Sequence, residues 1–322
     1  MGFLTSLSAS MVSMMCRLTC QFIENLVEFA AVSEQLINGV NTMYSSQKLP
    51  LQVDRLHMPS VDDFNELYAK PGKPVLITGI VSKWNACSLW NSHYFKSIAG
   101  ERLVPVKRML NGVYLGARTE SIKLADYLDS VIKEPVGNER LYLSEQPIVN
   151  ILPEIICDYT VPDYINSTKF AAVSYIGSHV NSQIHFHPFG KALLCVVSGR
   201  KRVKLFAPDQ TPFLYQKLNF SKIGSEPVDL DFYPLYGKAR YYECEVNAGE
   251  ALFFPIYWWH GVETEEFTSA VVFFWDDPRR LRWFPPAGIP WHYVPLFEIA
   301  SWLFKGKDML NRVLKFVRGY VR

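Results

Sequence analysis

The chain has 322 residues, 49% of them hydrophobic and 20% charged, and a formal net charge of +2. That is ordinary for a globular protein with a sizeable core. The near balance of charge gives no global argument for a nucleic-acid or acidic partner, and no run reaches the length of a membrane-spanning helix.

The N-terminus, MGFLTSLSASMVSMMCRL, has no charged leading region and does not read as a signal peptide. Gly2 and Ser6 match the short, common myristoylation pattern, though a frayed or helical extension is the simpler reading. Residues 18–45 space Phe22, Leu26, Phe29, Leu36 and Val40 as a helix would, so residues 1–48 are expected to form a helical extension ending in the linker SSQKLPLQ. In PSVDDFNELYAK, Ser60 is placed to cap a short helix. KPVLITGI reads as a buried strand, and WNACSLWNSHYFKSIAG as a helical segment. From residue 139 the pattern is short strands rich in β-branched and aromatic residues: RLYLSE, FAAVSYIGS, SQIHFH, ALLCVVS, KRVKLFA, RYYECEV, EALFFP, HGVET and SAVVFFW. Many short strands closing on themselves give a sandwich or a jelly-roll barrel. The segment 207–238, rich in Pro, Tyr and Phe, is expected to border the mouth of that barrel. Residues 279–322 end in a basic stretch with Leu310, Val313, Leu314 and Val317 on one helical face. We read it as a packing or homodimerisation helix ahead of an RNA- or membrane-binding tail. Six cysteines without framework spacing, Cys195 and Cys244 inside apolar runs, read as reduced core residues of a cytoplasmic protein.

Three histidines carry the chemistry. His185 and His187 lie in SQIHFH, and strand side chains alternate, so the two imidazoles share a face. His260, in PIYWWHGVE, is delivered by a distant strand. Three ligands with open positions mean a working metal rather than a structural brace. A His-x-His pair alone is weak, since a lone strand histidine is more often an ordinary core residue.

The context makes it specific. Gly249 to Val262 follows the pattern Gly-Glu/Asp-x-Leu-Phe-x-Pro-x-x-Trp-Trp-His-x-Val, and KPVLITGIVSKW, RLYLSEQ and GRKRVKLFAPDQ fall in order before it. Over roughly residues 50 to 278 the chain resembles the JmjC-type branch of the cupins, the iron(II)- and 2-oxoglutarate-dependent hydroxylases. Within that family, Tyr233–Pro255 is similar to the corresponding stretch of the tRNA-wybutosine hydroxylases, with the asparaginyl hydroxylases as further relatives. The resemblance implies a mainly β fold: a double-stranded β-helix, the cupin jelly roll, at about 140–278. It would sit within a domain of residues 49–278 carrying an α/β N-terminal lobe, with helical ends. It implies that His185, His187 and His260 hold Fe(II), and that Lys201, Ser182 and Tyr142 hold 2-oxoglutarate as co-substrate, with O2 as oxidant. A buried dicarboxylate needs such a charged partner and hydroxyl donors. The implied substrate is a protein side chain, a tRNA base or a small molecule.

The chain departs from the family at three positions. His187 stands where the family has Asp or Glu, leaving the metal's charge uncompensated by the protein. Phe273 and Ala192 stand where Asn is common near the cofactor. These departures raise two alternatives: a catalytically inactive cupin fold used for binding, or a three-histidine dioxygenase that does not use 2-oxoglutarate.

Overall fold

The computed structural model describes residues 50–277, apart from 111–112, 134–136, 138, 189 and 225–226. The expected N-terminal helices, the Gly2 pattern, Cys16, Cys20 and the basic C-terminal segment with its dimer role all lie outside the described residues.

Sixteen described strands run in order as β1 (Leu51–Gln52), β2 (Asp54–His57), β3 (Val75–Thr78), β4 (Leu103–Leu110), β5 (Val113–Lys123), β6 (Glu139–Pro147), β7 (Phe170–Gly177) and β8 (Val180–Asn181). They continue as β9 (Gly190–Ser198), β10 (Arg200–Phe206), β11 (Gln216–Lys217), β12 (Phe220–Ser221), β13 (Tyr242–Asn247), β14 (Glu250–Phe254), β15 (Trp259–Thr264) and β16 (Thr268–Asp276). Nine pair in the order β2-β3-β14-β9-β16-β7-β6-β4-β5, five in the order β1-β13-β10-β15-β8, and β11 with β12 forms a separate hairpin.

Side-chain parity explains how the two large sheets stack. On β9, Ala192, Leu194 and Val196 join a core shared with Val203, Leu205 and Val246 of the five-stranded sheet. Leu193, Cys195 and Val197 point the other way, into a layer built with Phe64, Trp84, Phe95 and Leu128. A strand buried on both faces must be apolar throughout, which is why ALLCVV shows no alternation. On β10 one face is wet: Lys201, Val203 and Leu205 are buried while Arg200 and Arg202 are exposed. Two sheets enclosing one core, with helices covering the outer face of the larger, is the expected cupin jelly roll. Gly199 makes the β9–β10 turn at φ +69°, where a Cβ would lie 2.4 Å from the Phe267 carbonyl oxygen.

The N-terminal lobe follows its caps. The Ser60 hydroxyl accepts the Asp63 N–H at 3.0 Å and starts the helix Val61–Phe64, as expected. The segment read as one helix over WNACSLWNSHYFKSIAG is broken instead. A 3-10 turn (Val81–Lys83) and a short helix (Ala86–Leu89) precede Ser92–Ala99, which restarts where the Asn91 side chain accepts the Tyr94 N–H at 2.9 Å. A capping Asn inside a helical pattern begins a new helix rather than continuing the old one. The long β4–β5 hairpin and the helix Leu124–Ile132 went unread in the sequence.

Candidate metal centre

The strand expected over SQIHFH is absent: β8 ends at Asn181, just before it, and only His185 forms an isolated bridge. His185 pairs with His260, its N–H donating to the His260 carbonyl at 3.0 Å and its carbonyl accepting the His260 N–H at 2.7 Å. On the other side it bridges Phe220 of the β11–β12 hairpin. The alternation nevertheless holds. Phe186 turns away and is fully buried in an aromatic cluster with Trp259 and Tyr257, leaving His185 and His187 on the opposite side.

One potential ligand atom from each of His185, His187 and His260 lies within 4.8 Å of the others, and no carboxylate joins the cluster among the described residues. The ring centroids are 4.3 Å apart for His185 and His260, 4.6 Å for His187 and His260, and 5.3 Å for His185 and His187. Nδ1 of His185 lies 2.8 Å from the Gln183 carbonyl oxygen, and Nδ1 of His260 lies 3.0 Å from that of Trp258. A carbonyl only accepts, so each Nδ1 carries the proton and each Nε2 keeps its lone pair for a ligand. Burial lowers the pKa of all three rings, His187 to about 3, and crowding by like imidazoles adds to the effect at His187 and His260. Neutral, oriented and clustered imidazoles are the donor set a divalent transition metal takes. Phe254 packs on His260, Phe274 meets His187 edge-on and Phe220 stacks on His185, so an apolar ring holds each of the three in place.

The imidazoles face a cavity of about 610 Å³ between the two sheets. Tyr142, Ser182 and Lys201 all line it, as do Ala192, Phe220 and Phe274. Lys201 is 1% exposed, and its ammonium donates to the Thr264 and Thr268 hydroxyls at 3.0 Å each. No carboxylate accompanies it in those contacts, and burial lowers its pKa to about 7. The Tyr142 ring lies 6.0 Å from the Lys201 nitrogen and packs against the Tyr175 ring. The Ser182 hydroxyl accepts the Val262 N–H at 2.9 Å, which leaves its proton to donate.

The match over residues 61–280 is to the cupin-like domain family. The chain is a cupin-like protein of the JmjC type. It is 30% identical over 240 residues to lysine-specific demethylase 8 of Danio rerio, covering 70% of this chain and 58% of the relative. It is 29% identical over 240 residues to Jumonji C domain-containing protein 5 of Drosophila melanogaster, covering 70% of this chain and 60% of the relative. It is 29% identical over 258 residues to tRNA wybutosine-synthesizing protein 5 of Homo sapiens, covering 72% of this chain and 79% of the relative. The chain thus spans little more than half the length of the relatives named demethylase 8. The family is one of iron- and 2-oxoglutarate-type oxygenases.

Among cupin-like proteins this one was expected to lose a polar group to Phe273, and the structure corrects that expectation. Phe273 is fully buried on the helix-covered face of β16, ringed by Trp84, Tyr159 and Phe170. The cavity side of β16 carries Val272 and Phe274 instead. Ala192 does line the cavity, so that departure stands. Trp258 and Trp259 are packing residues: the indole of Trp259 donates to the Thr211 hydroxyl at 2.8 Å, and that of Trp258 to the Gly72 carbonyl at 2.8 Å. Residues 207–238 reach the cavity through Phe220, whose ring stacks on His185. The sequence reading missed Thr264 and Thr268. Thr264 follows His260 at even spacing on β15, and Thr268 precedes Phe274 at even spacing on β16, so strand parity alone puts both on the inner face.

Proposed function

We propose that this protein is an iron(II)- and 2-oxoglutarate-dependent hydroxylase. The observation carrying the reading is three neutral imidazoles converging on a cavity whose wall holds a buried lysine resting on two threonine hydroxyls. His185, His187 and His260 would hold Fe(II), which when loaded supplies activation of O2 for insertion into a substrate C–H bond. Lys201 would take the distal carboxylate of 2-oxoglutarate, with the Thr264 and Thr268 hydroxyls orienting its ammonium and Tyr142 and Ser182 supplying further donors. A charge-assisted contact offsets the desolvation of a buried carboxylate. Leu194, Val262, Phe254 and Phe274 keep the inner cavity apolar and exclude water around the imidazoles. The Nδ1 bonds to Gln183 and Trp258 hold two rings in the tautomer that ligation requires. The relatives' names point to substrates on protein lysines or tRNA. The substrate would be a protein side chain, a tRNA base or a small molecule, and the C-terminal segment would carry a homodimer.

His187 favours a second reading. With no carboxylate, the ligand set is that of a three-histidine dioxygenase, which would not need 2-oxoglutarate. Anaerobic addition of Fe(II), then 2-oxoglutarate, separates the two. A visible metal-to-ligand charge-transfer band on adding 2-oxoglutarate supports the hydroxylase. Retained iron without that band favours the second reading, and failure to retain iron leaves a binding protein on a cupin fold. His187→Asp refines the answer: 2-oxoglutarate turnover gained over the parent marks a degenerate parent site, while loss of parental activity marks His187 as a working ligand.

A further inference from the structure

The cavity wall carries three charged side chains among the described residues: Lys201 among its hydroxyls, and the pair Lys107 and Glu145. Lys107 donates to the Glu145 carboxylate in a short ion pair. Its side chain is 21% exposed and that of Glu145 is 50% exposed, so the pair sits toward the mouth rather than in the depths.

Both residues owe their position to irregular backbone. Lys107 lies across from Tyr142 in the β4–β6 ladder, and cross-strand partners share a face, so Lys107 looks into the cavity with it. The β4–β5 pairing slips immediately after Lys107. On β6, Leu143 packs into the helix-covered core, and strict alternation would send Glu145 into the same apolar layer. Instead the register against β7 slips between Ser144 and Gln146, and Glu145 is the inserted residue, at φ +57°. A left-handed glutamate is strained, and bulges beside active sites commonly re-aim a side chain. Here the bulge turns a carboxylate out of an apolar core and into the cavity, against a lysine placed to meet it.

We propose that Lys107 and Glu145 are the specificity-determining pair for the substrate, and that they read a neutral group offering an acceptor and a donor side by side, such as an amide edge. The inference rests on the reading of this cavity as the hydroxylase site. An amide edge takes a hydrogen bond from the Lys107 ammonium and gives one to the Glu145 carboxylate, so both charges keep partners. A bare ammonium draws Glu145 away from Lys107 and sets two positive charges side by side, and a bare carboxylate sets two negative charges side by side at Glu145. Discrimination of this kind comes from the like-charge contact that the wrong ligand forces.

The test uses three probes of equal chain length, hexanamide, hexylammonium and hexanoate. Binding is followed by ligand-observed NMR to the full chain with Zn(II) and saturating 2-oxoglutarate, and again without either. In the parent protein hexanamide should bind about tenfold more tightly than either charged probe. Lys107→Met, which leaves Glu145 alone, should make hexylammonium the best probe. Glu145→Gln, which removes the carboxylate beside Lys107, should make hexanoate the best. A change of preference toward a new probe cannot come from misfolding. One order of affinities shared by parent and both variants overturns the proposal, as does hexylammonium ranking first in the parent or no probe binding to it. The hydroxylase reading fails separately, by absence of 2-oxoglutarate binding to the metal-loaded parent. The reversal of probe order in the metal-free protein does not depend on it.

Discussion

Lys201 shows what one buried charge contributes to a site. It is held on two threonine hydroxyls with burial lowering its pKa to about 7, far below an exposed lysine, because the surrounding wall penalises the ammonium. On the proposed reading a 2-oxoglutarate dianion would restore the charge. Below about pH 7 the ammonium is already present, and above it 2-oxoglutarate would have to bind together with a proton. Its affinity for the metal-loaded protein should therefore fall about tenfold per pH unit as pH rises above 7, until the pKa of the bound state is reached. Isothermal titration at pH 6, 7, 8 and 9 measures this, and a flat profile would show that Lys201 does not meet the co-substrate. The same shift has the opposite sign for the ligand-free fold. The folded pKa is depressed, so between pH 7 and the ordinary lysine range the unfolded chain binds more protons, and stability from this group rises with pH. Lys201→Met should abolish that rise and weaken 2-oxoglutarate by about a hundredfold or more.

At the scale of the element, parity decides which residues can do chemistry. β16 presents Thr268, Ala270, Val272 and Phe274 to the space between the sheets, and Val271, Phe273 and Trp275 to the helices. A family comparison by position alone would make Phe273→Asn a repair that returns a polar group to the cofactor. The structure makes it an injury. The substitution removes a ring packed on three aromatic neighbours and buries an amide among them. It should cost about 3–5 kcal/mol in urea unfolding and leave 2-oxoglutarate affinity unimproved. Tighter 2-oxoglutarate binding with stability intact would mean that β16 is registered the other way. The β6 bulge works by the same logic in reverse, since one inserted residue moves Glu145 from the helix side to the cavity side.

At the scale of the whole molecule, a metal held by the three histidines would tie together parts of the chain that share no local sequence. His185 and His187 precede β9, while His260 arrives on β15 after the turn-rich segment 207–238. A divalent ion bound to the folded state alone should stabilise it by about 2.7 kcal/mol at a hundredfold excess over its Kd. For a domain of this size that is a rise of roughly 5–10 °C in Tm on adding Ni(II). His185→Ala, His187→Ala and His260→Ala should each remove most of the rise, and a rise that survives all three would place the metal elsewhere. The sequence by itself determined the strands of the barrel, because β-branched and aromatic runs between turn residues are a local signal. It also singled out the three histidines as candidates, because even spacing and a recurring motif mark them, and Lys201 by its offset from Gly199. Tertiary structure alone decided the rest. Which face of β16 looks inward, that Lys201 rests on Thr264 and Thr268, and that Glu145 turns toward Lys107 all depend on register between strands far apart in the chain. A single inserted residue inverts that register without changing any local pattern a reader of the sequence could see.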